Sequence, residues 1–548
     1  MPVWAYTLAS HIDREPYKLD LYDTRIESID NVRHADIYLF TGINQDYPTL
    51  VEAHKTLKDK FPNSKFILGG PITWSYSQAG DLDKFSFFDH LFIGDGEGEI
   101  NDLLNRIIAG DEDRNIIRNE KRFEISNSVL MDRSFLEKTV HNYYGAVIEV
   151  SRGCPFLCEF CDIRVLPDNN RPHNKPTDII VQEVELLYSL GARTFLLACD
   201  NFIGEPRWAE ELVDKLLELS ERTGITPVFY TWLTINLHKM PRLMEKMRRA
   251  GFDIVFIGLE SFNSSSLLET AKVQNKSAGV AEATQSIQSY GFSVVAGLIF
   301  GFDSDDETCF NIALKGILEA GLLSGDPSLL TALPGTPLYT RMKLANRIRK
   351  VRYGLGGFKY HTNILYLQPR KEMIRRFLEF VDVLVDGEYQ YQRLKSYFEI
   401  LNRGNYIPIS GRGYFNLGQA IRMIMRDPQA MKLAAQRVIL FVSKPRNLYY
   451  LAKGAWFVYS QRNIKNRFSY LKFWMALWST IIVKYQNISV SDFDIESVPE
   501  GFDIHQLIPD GYEDDSDKPD IPDNKIKAQR RETLKQLRSL IEQRDAMH

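Results

Sequence analysis

Cysteine is scarce in this chain, five among 548 residues, too few for a disulfide framework at that length. A reducing cytoplasm is the expected setting. No run of about 18 uncharged apolar residues occurs, so no membrane-spanning helix is expected. Residues 1–11 lack the basic start and long apolar core of a secretory signal. Net charge is also small, −4 at neutral pH, which leaves no global attraction to nucleic acid. What remains, 44% hydrophobic and 25% charged residues, is ordinary globular material for two or three domains.

Three of the five cysteines, Cys154, Cys158 and Cys161, fall within eight residues with the spacing C-x3-C-x2-C. They follow the apolar run 146–150 directly, which sets the thiols in a loop leaving the C-terminal end of an expected strand. Thiolates are soft ligands suited to an iron–sulfur cluster or zinc, and three of them leave a fourth coordination position unfilled. A closed structural zinc site is the alternative. It would need a fourth Cys or His at short spacing, and the nearest candidate, His173, comes only after the stretch 168–172.

The triplet, with the aromatic Phe160 just before its third cysteine, resembles the radical S-adenosylmethionine (radical SAM) superfamily. That resemblance implies a 4Fe–4S cluster on Cys154, Cys158 and Cys161, S-adenosylmethionine chelated by the unligated iron, and its reductive cleavage to a 5′-deoxyadenosyl radical. It also implies a one-electron donor such as flavodoxin or ferredoxin.

Residues 1–110 alternate short apolar runs, at 18–22, 35–40, 65–69 and 90–94, with helical stretches such as 47–60. This is the pattern of a Rossmann-like doubly wound parallel sheet. Two runs end in glycine turns, one with Gly69 and Gly70 and one with Gly94 and Gly96, where a ligand could approach bare backbone. Beside the cysteine triplet, the strings LGGP and DHLFIGDGEGEI resemble the cobalamin-binding domain of a radical SAM subfamily that includes hopanoid C-methylases and related class B methyltransferases. The four glycines are then candidate cobalamin contacts. The usual first strand is not evident, and the D-x-H-x-x-G motif that supplies an axial histidine elsewhere is replaced by residues 41–47. A domain kept for packing or peptide binding is the alternative. His11, His34, His54 and His90 read as surface or packing histidines.

A charged, irregular connection, 111–142, leads to a second α/β unit, 143–344. Its strands are expected at 146–150, 194–198, 227–230, 254–258, 293–299 and 327–331, with helices between them. That describes a partial (β/α)6 barrel, the radical SAM barrel of the resemblance, with its reactive face at the carboxyl ends of the strands. Asp200 and Asn201, Glu260 and Ser261, and Gly297 and Gly301 stand at three of those ends. By resemblance, Glu260 and Ser261 meet polar groups of S-adenosylmethionine, Asp200 and Asn201 its methionyl amine, and the backbone at 297–301 its adenine. A capping or solvated role is the competing reading of each. Cys199 stands where relatives commonly carry Asp. It reads as a catalytic thiol returning a hydrogen atom to a substrate radical, or as a small buried packing residue.

From 345 to 488 helices follow one another in a C-terminal helical domain. The basic residues from Arg341 to Arg352 read as solvated helix faces rather than a phosphate site. The span 437–485 interleaves Lys and Arg with Trp and Tyr. It suits a helix in peripheral contact with a membrane interface, or a buried helical core. The tail 489–548 is acidic around 510–517 and expected to be loosely held, with a charged terminal helix at 525–544 and no chemistry of its own.

Three functions fit these features. The first is cobalamin-dependent methylation of an unactivated carbon in a small-molecule, lipid or peptide substrate. The second is a cobalamin-free radical enzyme, such as a peptide epimerase, using Cys199. The third is a metal-binding scaffold that never cleaves S-adenosylmethionine.

Overall fold

The structure is a computed structural model that describes residues 1–163, 166, 168–270, 272, 279–350, 360–411, 418, 421, 424–425, 428–509, 512 and 523–546. After helix α1 (Val3–His11), four parallel strands, β1 (Ile37–Thr41), β2 (Lys65–Gly69), β3 (His90–Ile93) and β4 (Ile116–Arg118), pair in chain order. Burial follows the pleat. Tyr38, Phe66, Leu68 and Leu91 pack on one face against α2 (Tyr47–Lys60) and α3 (Pro71–Ala79), through Leu50, Leu57, Ile72 and Tyr76. The alternate residues Ile67, Phe92 and Ile117 face Leu103 and Ile107 of α4 (Ile100–Ala109) on the other side. Both faces are thus covered by helices, as a doubly wound sheet requires.

Two elements differ from expectation. The run 18–22 forms no strand, and its Leu19 is taken up in packing beside Ile12 and Leu104. The fourth strand comes instead from the stretch read as connection. Only Ile117 of β4 is buried, so its three residues carry too little pattern to read. His54, buried among Phe66, Phe87 and Phe88, and His90, bonded to the Arg114 carbonyl, are packing residues.

After the short helix α5 (Arg133–Thr139), the second sheet has six parallel strands in chain order: β5 (Ala146–Glu149), β6 (Thr194–Ala198), β7 (Val228–Leu233), β8 (Phe252–Glu260), β9 (Ser293–Phe300) and β10 (Asp326–Leu329). Its crossover helices are α6 (Thr177–Ser189), α7 (Pro206–Thr223), α8 (Pro241–Ala250), α9 (Ser264–Glu269), α10 (Val280–Ser289) and α11 (Cys309–Glu319). In α7 the buried residues Trp208, Ala209, Leu212, Val213, Leu216 and Leu219 recur at helical spacing, and the stripe they form docks the helix on the sheet. The edge strands β5 and β10 do not pair, so the barrel is partial and open.

After α12 (Pro337–Leu344), the C-terminal region is mainly helical: α13 (Arg370–Val385), α14 (Gly387–Arg403), α15 (Pro428–Val442), α16 (Pro445–Ser460) and α17 (Arg467–Tyr485). It also holds a small parallel pair, β11 (His361–Tyr366) with β12 (Asp494–Ser497), which the helical reading did not anticipate. The aromatic span divides in two. Trp474 and Trp478 of α17 are fully buried and donate their indole N–H groups to the carbonyls of Gln390 and Val385, whereas Tyr449, Trp456 and Tyr459 of α16 are exposed. The basic cluster also differs from expectation. Arg341 and Arg347 are buried, not solvated. Apart from Tyr512, the acidic stretch 510–517 lies outside the described residues. The terminal helix is α18 (Asp523–Asp545).

Candidate active site at the barrel mouth

The chain leaves β5 through a short antiparallel pair, Ser151–Arg152 with His173–Asn174, and turns into the cysteine loop. The Cys154 amide donates to the Asn169 carbonyl at 3.0 Å and the Cys161 amide to the Cys158 carbonyl at 3.2 Å. Burial pushes the Cys154 thiol up to about 12, with Cys158 and Asp200 adding to the shift. Cys161 is pushed well above the usual thiol range by burial, then by Cys158 and Asp162. Thiols raised in this way, as Cys154 and Cys161 are, need a nearby cation to become thiolates, and a bound metal reverses the shift. Among the described residues no three His, Cys, Asp or Glu side chains gather closely enough to hold a single metal ion.

The neighbouring strand ends supply polar groups. The Gly153 amide donates to Asp200 Oδ2 at 2.6 Å, and burial pushes the Asp200 carboxyl up to about 6. Asn201 is buried, yet neither its amide nitrogen nor its oxygen has a partner among the described residues. Burying such an amide unpaired costs a few kcal/mol (~1–3), so this pair of atoms fits the polar end of a ligand. Glu260 closes β8 in a left-handed conformation, φ 64°. Its carboxylate lies over bare backbone: a Cβ on Gly258 would meet Glu260 Oε1 at 2.3 Å, and one on Gly297 would meet Phe256. Ser261 accepts from the Asn263 amide at 3.0 Å.

Two residues here went unread in the sequence. Lys272 is buried, ion-paired to Glu260 and 5.6 Å above the Phe160 ring. Burial works against its charge, but Glu260 and Cys158 outweigh it and hold the ammonium above the usual range. Asp305 accepts from the amides of Gly301 and Phe302 at 2.8 and 3.1 Å and from Ser266 Oγ at 2.6 Å. The side of Gly301 that a Cβ would occupy is filled by Tyr366 at 2.6 Å.

Burial pushes the Asp305 carboxyl up to about 6, from 3.8. The folded chain therefore holds a proton between those values that the unfolded chain releases, and stability from this group is full below about pH 4 and falls as pH rises to 6. Relative to Asp305→Asn, wild type should lose on the order of 2 kcal/mol between pH 4 and pH 6, at about 1.4 kcal/mol per pKa unit. Urea midpoints of the two proteins at each pH test this.

The Cys199 thiol is buried and already engaged. It lies 3.4 Å from the Trp232 carbonyl and 3.5 Å from Thr231 Oγ1, and burial pushes its pKa up to about 12. Those partners describe a packed wall residue. Cys199→Ala should lower stability by about 1–2 kcal/mol and leave iron binding unchanged, as thermal unfolding and iron analysis would show.

Two ion-pair networks hold the cysteine loop. Arg152 is ion-paired with Glu149 at 2.8 Å, with Asp95 at 3.7 Å and with Glu97. It ties the loop after β3 to the start of the cysteine loop. Behind the loop, Arg341 donates to both oxygens of Glu159, at 2.8 and 3.0 Å, and to Asp303 and Glu269. Tyr512, from the tail expected to be chemically silent, also donates to Glu159.

In the N-terminal sheet, the loop with Gly69 and Gly70 leads to α3 on one face and the loop with Gly94 and Gly96 leads to α4 on the other. Space above Gly70 and Gly94 is taken by the chain itself, since a Cβ would meet Thr41 Oγ1 at 2.4 Å and the Asn119 carbonyl at 2.1 Å. Gly69 has only Phe92, at 3.8 Å, within 4 Å of its Cβ position, and Gly96 meets Leu8 at 3.3 Å. Gly69 thus leaves the most backbone for a flat ring to cover.

The family model for the radical SAM superfamily matches residues 148–315, the span from β5 into α11 that carries the cysteine loop and Asp200, Glu260 and Asp305. Residues 148–315 are a radical SAM domain. The chain is an enzyme of that class, whose 4Fe–4S cluster and S-adenosylmethionine are the cofactors of this barrel. It is 24% identical over 445 residues to an uncharacterized methyltransferase of Synechocystis sp., covering 80% of this chain and 78% of that one. It is 30% identical over 314 residues to the hopanoid C-2 methylase of Rhodopseudomonas palustris, covering 56% of each; the chain thus spans about half of that enzyme's length. The structure of the cobalamin-dependent S-adenosylmethionine radical enzyme OxsB with aqua-cobalamin and S-adenosylmethionine bound superimposes with a TM-score of 0.56 at 13% identity, over 92% of this chain and 80% of that one. That likeness is one of fold.

Proposed function

We propose that this radical SAM enzyme is a cobalamin-dependent methyltransferase acting on an unactivated carbon of a small molecule. The observation that carries the reading is the Arg152 tie. The carboxyl edge of the N-terminal sheet, at Asp95 and Glu97, is ion-paired to a residue two positions before Cys154, so a ligand held at that edge would lie beside the cysteine loop. When bound, the cluster with S-adenosylmethionine supplies a carbon radical and the corrinoid a methyl group. The chain's own part is to hold and orient. Cys154, Cys158 and Cys161 would ligate the cluster, Asn201 would pair with the methionyl group, and Glu260, fixed by Lys272, would accept hydrogen bonds from the ribose diol. A flavodoxin or ferredoxin type of protein would deliver the electron.

Anaerobic purification with hydroxocobalamin, followed by visible spectroscopy and assay of 5′-deoxyadenosine and S-adenosylhomocysteine after reduction, tests the reading. Bound corrinoid with both products supports it. Deoxyadenosine without corrinoid or S-adenosylhomocysteine replaces it with a hydrogen-transfer enzyme. No product from a fully reconstituted cluster with reductant and candidate substrates overturns catalysis.

A further inference from the structure

From Pro428 to Ser491 the chain has ten Lys and Arg and no Asp or Glu, against a whole-chain net charge of −4. Within that stretch α15 and α16 each carry two apolar faces. The inner faces pack in the core, with Phe441 4.6 Å from the Trp478 ring and Val458 fully buried. The outer face of α15 lines up Met431, Ala435, Val438, Ile439 and Val442, at i, i+4, i+7, i+8 and i+11. Val438, Ile439 and Val442 are 62%, 64% and 56% exposed. On α16 the same outward position is taken by Tyr449, Ala452, Trp456 and Tyr459, with Trp456 74% exposed and its ring 6.1 Å from that of Tyr459. A helix that only closes a core needs one apolar stripe.

Lys432, Lys444, Lys453, Arg462 and Lys465 are exposed around these stripes. Arg446 is engaged by Asp386 and Glu388, and the Lys453 ammonium lies over the Tyr391, Tyr449 and Tyr450 rings. A second copy meeting this face symmetrically would set one cationic surface against another. An anionic bilayer complements it: aliphatic side chains enter the acyl boundary, Trp and Tyr sit at the headgroup level, and lysines meet lipid phosphates. No helix among the described residues is long and apolar enough to cross a membrane, so contact of this kind lies along the surface.

We propose that the outer face of α15 and α16 docks the enzyme on an anionic phospholipid surface, whatever reaction the barrel performs. The full chain should sediment with vesicles of equimolar phosphatidylcholine and phosphatidylglycerol, bind less to phosphatidylcholine alone, and release in high salt. Combining Val438→Glu, Ile439→Glu and Trp456→Glu should lower the partition constant at least ~10-fold at unchanged melting temperature. Brominated acyl chains should quench tryptophan emission in wild type and not in Trp456→Phe, a change that an exposed site tolerates. Wild type remaining in the supernatant, equal sedimentation of the triple variant, or a vesicle-free dimer that the triple variant abolishes would each overturn the proposal.

Discussion

Arg341→Met should destabilise the fold by about 3–5 kcal/mol, the cost of breaking a buried ion pair by removing one partner. Arg341 is 1% exposed and serves three carboxylates, Glu159, Glu269 and Asp303. Arg347 is the other guanidinium in the group, bonded to Asp303 at 2.6 and 2.9 Å. Three acids and two bases leave one negative charge in excess, and the structure accommodates it by titration. Burial, and then Asp303, push the Glu269 carboxyl up so that it resists ionising. Burial works against Asp303 too, but Arg347 and Arg341 outweigh it and keep that carboxylate low. Methionine roughly preserves the stem of Arg341 and removes the donors, leaving three carboxylates to one guanidinium. The chain has several units, so the readout is the transition that includes the barrel, which should fall by roughly 10 °C. Because Glu159 sits between Cys158 and Phe160, iron uptake should fall with it. A shift under about 1 °C would show that the network is solvated and contributes little.

The barrel was legible because its strands are buried on both faces and read as apolar runs separated by amphipathic helices. The cysteine loop was legible because its chemistry lies in one contiguous stretch. The two charge networks were not, since each contact joins distant positions: Glu159 and Arg341 are 182 residues apart, Glu159 and Tyr512 353. An arginine that will be buried looks like any other in sequence, so Arg341 and Arg347 read as surface. Lys272 was missed for the same reason, its partner Glu260 lying on another element. The aromatic span was ambiguous because Trp474 and Trp456 have similar neighbours in sequence, and only the packing of α17 under α15 and α16 separates core from surface. Glycine runs were legible as close approaches, but whether the approaching group was ligand or chain was not; at Gly301 it is Tyr366.

The other large effect is expected at the cysteines. Cys158→Ala should abolish cluster assembly and take 5′-deoxyadenosine formation to background while leaving the apo fold within about 1 kcal/mol of wild type. Cys158 is buried and a free Cys packs as a small hydrophobe, so alanine loses little more than one buried sulfur. Ligation is a different matter. A cluster of about four irons held by three thiolates has no substitute donor at this position, because the nearby Asp200 carboxyl is pushed upward by burial and is a poor anion. Cys309→Ala, a change to a buried residue at the start of α11, is the matched control and should keep iron and activity. Iron content and the electron paramagnetic resonance of the reduced protein separate the outcomes before any substrate is known. Retention of iron and an unaltered spectrum in Cys158→Ala would move the cluster off the triplet and remove the basis for the methyl-transfer reading, whereas loss of iron in both variants would point to a general failure of folding.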